Sequence, residues 1–101
     1  SSLIELDLSG CMVDDKSLNA IISSARHLEI VRLSQCHLLG KEALQILFRK
    51  GKRLKYIDLS EVEDLCLSCQ IKTRIEKMNL SHFYGLNDET VVYLARCIPR
   101  I

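Results

Sequence analysis

Four stretches of this chain share one alternation of apolar and polar positions. The first is Leu3-Ile4-Glu5-Leu6-Asp7-Leu8-Ser9-Gly10-Cys11. The second is Leu28-Glu29-Ile30-Val31-Arg32-Leu33-Ser34-Gln35-Cys36. The third is Leu54-Lys55-Tyr56-Ile57-Asp58-Leu59-Ser60-Glu61-Val62, and the fourth is Ile75-Glu76-Lys77-Met78-Asn79-Leu80-Ser81-His82-Phe83. Each reads L-x-x-L-x-L-S-x-C or carries an apolar equivalent at the fixed places. The copies open 25, 26 and 21 residues apart, and Ile101 stands where a fifth would begin. Self-similarity at such a period marks stacked structural repeats.

Within each opening, strand geometry sends successive side chains to opposite faces. Leu6 and Leu8 turn one way; Glu5, Asp7 and Ser9 turn the other. The second half of each copy changes period. Leu39, Ala43, Leu44 and Leu47 follow Cys36, and Leu86, Val91 and Leu94 follow Phe83, at spacings that suit a helix. Asp14-Asp15 precedes Leu18 and Ile21, and Asn87-Asp88 precedes Val91, where an N-cap belongs. Lys50-Gly51 ends the second helical run as a C-cap glycine would. Each copy is therefore expected to be a strand, a loop and a helix. One such unit cannot bury its own apolar face, but stacked units share a core, with strands on the concave side and helices on the convex side. Right-handed crossovers join parallel strands of this kind. The expected fold is an α/β solenoid of about four repeats, 3–27, 28–53, 54–74 and 75–100, in one domain over 1–101. The third repeat is four or five residues short. Its second half, Asp64-Leu65-Cys66-Leu67-Ser68-Cys69-Gln70-Ile71, predicts a 3₁₀ turn or irregular loop that changes local curvature.

The L-x-x-L-x-L-x-x-C opening, with Leu39 three residues beyond Cys36 and a helix after it, resembles the cysteine-containing leucine-rich repeats. Their period is about 20–29 residues. Such repeats are common in F-box substrate adaptors of cullin–RING ubiquitin ligases. Cys11 and Cys36 match the family position, while Val62 and Phe83 replace the cysteine. Ala25 and Gly51 supply the family's small residue three places before the next strand leucine; Ile98 does not, and Cys97 lies one place early. The resemblance spans essentially the whole chain. It implies a leucine-rich-repeat solenoid that acts as a protein–protein interaction module, with substrate recognition in a ubiquitin ligase adaptor as the implied setting. An F-box is not among these 101 residues, so that role depends on a segment outside them. The short repeat array around Leu54-Lys55-Tyr56, with its truncated unit, is also similar to the mitochondrial coupling-factor-B type of protein. That likeness implies the alternative role of a structural or assembly subunit in a larger complex.

Composition changes this picture little. Hydrophobic residues make up 48% and charged residues 27%, as in an ordinary globular domain. A net charge of +1 gives no global pull towards nucleic acid or an anionic membrane. One proline and four glycines argue against a disordered chain. No apolar run approaches the ~18 residues of a membrane span, and Ser1-Ser2-Leu3-Ile4-Glu5 does not read as a signal peptide. Five cysteines, two of them at matched repeat positions, favour a reducing intracellular compartment over a disulfide framework. Cytoplasm or nucleus is expected, with the mitochondrion as the alternative. The sequence starts at a repeat boundary and stops on the first residue of another, without the polar caps a solenoid needs. Its ends are expected to be covered by further repeats or another chain; bare, the first strand would expose Leu6 and Leu8 beside open backbone groups.

The outward strand positions form columns. Glu5, Ile30, Tyr56 and Lys77 make one, Asp7, Arg32, Asp58 and Asn79 the next, and Ser9, Ser34, Ser60 and Ser81 the last. The first two are the candidate partner-binding surface for a protein on the concave face. Tyr56 and Arg32 are its expected anchors, since both combine large contact area with polar handles. The alternative is that Asp7, Arg32 and Asp58 pair along the ladder. The serine column is expected to form turns with its own backbone. Cys11 and Cys36 are expected to be structural, each a small hydrophobe whose weak S–H donor satisfies a backbone carbonyl. Cys66 and Cys69 form a C-x-x-C. A zinc site there would need His82 or Cys97 as well, and a redox pair would need a thioredoxin-like helix start. Small apolar residues filling the short repeat is the plainer reading. The run Arg49-Lys50-Gly51-Lys52-Arg53 suits a helix C-terminus, with an acidic partner patch as the alternative. His27, His37 and His82 are scattered, and neither a nucleophile elbow nor a glycine-rich phosphate loop is present. No catalytic residue, metal or cofactor is therefore expected.

Overall fold

Each opening becomes a short strand because its alternate residues can be buried on one face only. The strands are β1 (Glu5–Asp7), β2 (Ile30–Arg32), β3 (Tyr56–Asp58) and β4 (Lys77–Asn79). Two helices, α1 (Asp15–Ser24) and α2 (Ala43–Lys50), follow the first and second strands. This is a computed structural model, and it describes residues 3–40, 42–62 and 75–79. Over these residues the chain is α/β, with one parallel sheet in the order β1-β2-β3-β4. The register is uniform: Glu5 pairs with Ile30, Ile30 with Tyr56, and Tyr56 with Lys77. Corresponding positions of the four sequence copies therefore stand side by side.

Pairing runs on beyond the three-residue strands. Leu8 N–H donates to Arg32 O at 2.8 Å, and Gly10 N–H to Ser34 O at 2.8 Å. One step along the sheet, Leu33 N–H donates to Asp58 O at 2.7 Å, and Gln35 N–H to Ser60 O at 3.0 Å. The ladder then ends in a turn at Gly10, Gln35 and Glu61, all three with left-handed φ, at 76°, 60° and 59°.

The inward positions of the sheet, Val31, Ile57 and Met78, are buried, as are Leu33 and Leu59. Leu18 and Ile22 of α1, and Ala43, Leu44, Leu47 and Phe48 of α2, cover them. Full burial of a side chain of this size is worth about 1.5–3 kcal/mol, so this shared layer is the main force holding helices to sheet.

The helix details depart from the sequence in three places. On α1 the buried pair is Leu18 and Ile22, whereas Ile21 is only partly buried. Leu39 is buried, but in the turn before α2, which starts at Ala43. Gly51 does end α2, yet its φ is −80°, so no left-handed cap is made. A side chain at 51 would overlap Leu54 and the Leu47 carbonyl oxygen. The glycine is there for close approach to the next strand's leucine. Ala25 holds the equivalent place in the first copy: Leu28 N–H donates to Ala25 O at 3.3 Å as Leu54 N–H does to Gly51 O at 3.2 Å.

At the β1 edge, Leu6 and Leu8 are half-buried against the core rather than exposed. The exposed large apolar residues there are Leu3, Ile4 and Met12. The short second half of the third copy with its C-x-x-C, the expected helix after Asn87-Asp88, and Ser81, His82, Phe83 and Cys97 lie outside the described residues.

Candidate functional site

Parallel pairing in register places Glu5, Ile30, Tyr56 and Lys77 in one row across the outward sheet face, and Asp7, Arg32, Asp58 and Asn79 in the next. All eight are exposed or half-buried, while the residues between them are turned into the core. Tyr56 stands at the centre of a charged group. The Arg32 guanidinium carbon lies 5.7 Å from its ring centroid and the Lys77 ammonium nitrogen 5.5 Å. A cation within about 6 Å of an aromatic face is attracted by the ring quadrupole, by roughly 0.5–1 kcal/mol at an exposed site.

Arg32 does not use its neighbours Asp7 and Asp58 as ion-pair partners. Its Nη1 donates to Glu5 Oε2 at 2.7 Å, diagonally across the rows. The two side chains are 35% and 55% exposed, so the pair orients Arg32 more than it stabilises the fold; such pairs are worth roughly 0–1 kcal/mol.

Asp7 and Asp58 instead serve the turns that follow them. Asp7 Oδ1 accepts the Ser9 N–H at 2.9 Å, and Asp58 Oδ1 accepts the Ser60 N–H at 3.0 Å. The Ser60 hydroxyl donates to Asp58 Oδ1 at 2.8 Å and shares a 2.9 Å hydrogen bond with the Ser34 hydroxyl. Hydrogen bonds from Ser9 hold the Asp7 carboxyl below its ordinary value, and nearby Arg32 adds to this against some desolvation. Ser9 and Ser60 are thus turn devices whose acceptor is the aspartate two residues earlier, while Ser34, with Arg32 at that place, is held through Ser60. Beyond it, Gln35 Nε2 donates to Glu61 Oε2 at 2.8 Å.

The two matched cysteines part company. Cys36 is fully buried and its thiol donates to Leu8 O at 3.1 Å, in the preceding copy. Burial pushes that thiol's pKa up, opposed by the backbone N–H groups of Cys11 and Gly10. Cys11 is exposed, so the packing role expected of it does not hold among the described residues. The difference is one of position: Cys36 finds its carbonyl in the preceding copy, whereas among the described residues no strand pairs with β1 on its other side.

Some contacts between copies were not foreseen from the sequence. Asp15 Oδ1 accepts the Gly40 N–H at 2.8 Å, and Asp15 Oδ2 accepts the Glu42 N–H at 3.2 Å. Glu42, the N-cap of α2, makes no capping hydrogen bond with its own side chain, so α1 supplies the carboxylate that serves the start of α2. In the repeat alignment Gly40 stands where Asp15 does in the first copy, so the second copy has no carboxylate of its own at that place. Lys55 Nζ also lies 3.4 Å from Glu29 Oε1.

Among the described residues, no group of three or more His, Cys, Asp or Glu is placed to hold a metal ion, and no helix is long and apolar enough to cross a membrane. Comparison with protein-family models, with curated proteins and with solved structures found no match to this chain.

Proposed function

We propose that this chain is a leucine-rich-repeat solenoid and a non-catalytic protein-binding module, with the outward sheet face as its recognition surface. The observation that carries this reading is Tyr56, half-buried between Arg32 and Lys77 on an otherwise open strand face. Tyrosine and arginine side by side are what interface hot spots are made of. The ring is already ordered by its neighbours, so little freedom is lost on binding. Glu5 fixes Arg32, and Ile30 adds an apolar contact within the same row. Asp7 and Asp58 have a smaller part here, because their carboxylates already accept hydrogen bonds from the turns. Lys77 and Asn79 continue the surface across β4.

The uniform register of four sequence copies supports the solenoid part of the reading, as does the placement of Cys36 against the preceding copy. The cysteine-containing repeat pattern favours substrate recognition in a ubiquitin ligase adaptor, in the cytoplasm or nucleus. A second reading, a structural subunit of a larger assembly, draws on the apolar residues exposed at the β1 edge, Leu3, Ile4 and Met12.

The test is affinity purification with the chain and with the double variant Tyr56→Ala/Arg32→Ala. Neither side chain is in the buried core, so the variant is expected to fold while losing the proteins that the parent retains. Equal retention of the same proteins by both would overturn the reading of this face.

A further inference from the structure

A cleft of about 650 Å³ opens where α1 and α2 end and the chain turns towards β2 and β3. Arg26, His27, Arg49, Lys50, Lys52 and Arg53 line it. Five of the chain's 14 lysines and arginines meet here, although the chain as a whole carries only +1. No carboxylate among the described residues lines this cleft.

Helix ends explain only part of the clustering. Arg49 and Lys50 sit in the last turn of α2, where the helix dipole favours cations. The last turn of α1 has no basic residue, and Arg26, His27, Lys52 and Arg53 belong to the turns beyond the helices. Contacts between the two turns and between the helix ends draw them together. Arg53 Nη1 lies 3.0 Å from His27 Nδ1, and Lys50 Nζ donates to Ser23 Oγ at 3.5 Å. Like charges held well inside a Debye length repel one another, and an anion placed among them relieves that repulsion.

We propose that this cleft docks an acidic segment of a partner protein, at a site separate from the sheet face. The surroundings favour a peptide over other polyanions. The lining has no Phe, Tyr or Trp ring on which a base could stack, and the His27 imidazole is held by Arg53, whose Nη1 lies 3.0 Å from its Nδ1. The unmixed positive patch is also bounded: the adjoining depression, which shares Lys52 and Arg53, carries Glu29 and Glu76 beside Lys55, so its charge is mixed. A continuous phosphate backbone would run onto those carboxylates, whereas a short acidic segment ends before them. None of the exposed large hydrophobics, Leu3, Ile4, Met12 and Leu38, lines the cleft itself, and Ile4, in a neighbouring depression with His27 and Arg53, is too small an apolar surface to enter a bilayer.

Fluorescence anisotropy of a labelled oligoglutamate peptide against the full chain tests this. Saturable binding is expected at low salt, weakening as salt is added. The variant Arg26→Ser/Lys52→Ser/Arg53→Ser is expected to bind about tenfold more weakly, because the binding is carried by charge. The charge-preserving Arg26→Lys/Arg53→Lys is expected to keep it, and Tyr56→Ala to leave it unchanged. Circular dichroism checks the fold of each variant. If the triple variant misfolds, Lys52→Glu alone carries the comparison, with a loss of about threefold expected. Absence of saturable binding by the parent chain, or equal affinity in the charge-removed variant, overturns the site. Tighter binding to a single-stranded oligonucleotide or to phosphatidylserine vesicles than to the peptide overturns the class of partner.

Discussion

Gly10, Gln35 and Glu61 occupy one place in three successive sequence copies, and all three are left-handed. Only glycine adopts that conformation without penalty; another residue there costs about 1 kcal/mol or more. Nothing lies within 4 Å of a side chain built at Gly10, so the penalty there is conformational alone. Gly10→Ala is therefore expected to lower unfolding free energy by about 1 kcal/mol in urea titration. Gln35→Gly is expected to stay within about 0.5 kcal/mol of the parent, because relief of strain offsets the lost bond to Glu61. The cysteines give a second check at this scale. Burial and the Leu8 carbonyl keep the Cys36 thiol neutral and out of reach, whereas Cys11 is open to solvent. Brief treatment of the native chain with iodoacetamide should alkylate Cys11 and spare Cys36, as read by peptide mass mapping. Equal labelling would mean that the sulfur is not where Leu8 holds it. Residue-level chemistry was legible where it is local. Asp14 before an apolar run reads as an N-cap, and its carboxylate does accept the Ser17 N–H at 2.8 Å. It was illegible where it depends on a neighbouring copy, as for the exposure of Cys11, or where identity misleads, as for Gln35 and Glu61 at a glycine-like turn.

The strands were the easiest elements to read, because a period of two puts Val31, Ile57 and Met78 on the buried face without reference to anything else. Helix boundaries were harder. Leu39 fits the helical spacing ahead of Leu44 and Leu47, yet it reaches the core from a turn, and no single-chain periodicity separates the two cases. Gly51 is legible as the end of α2 because glycine is common there, and it is the C-cap; the close approach of Leu54 that requires a glycine appears only once helix and strand are packed. The link between elements also has an energetic test. Asp15 belongs to α1 but serves the backbone N–H groups of Gly40 and Glu42 at the start of α2. Loss of a capping carboxylate costs about 1 kcal/mol, so Asp15→Ala should lower the unfolding free energy from urea titration by that amount. Hydrogen exchange should quicken at Gly40 and Glu42, in the next copy, as well as at the site of substitution. Protection unchanged at both amides would show that the carboxylate does not bridge the two units.

At the scale of the molecule, uniform register turns a one-dimensional repeat into two-dimensional rows. Residues 21 to 27 positions apart in sequence become neighbours across the strands, which is how Glu5, Arg32, Tyr56 and Lys77 come to share one charged aromatic patch. The membership of those rows was readable from the alternation alone. Their internal chemistry was not. Alternating signs suggested that Arg32 would pair with Asp7 and Asp58, but the turns claim those carboxylates first and Arg32 reaches Glu5 instead. The sheet face as the partner-holding surface is tested most directly by site-specific crosslinking in cells. A benzophenone amino acid would replace Tyr56 in one version of the chain and Ala20, exposed on α1, in another. A partner joined from position 56 and not from position 20, and lost when Arg32→Ala is added, is the predicted result. Crosslinking from position 20 alone, or from both positions equally, would contradict it.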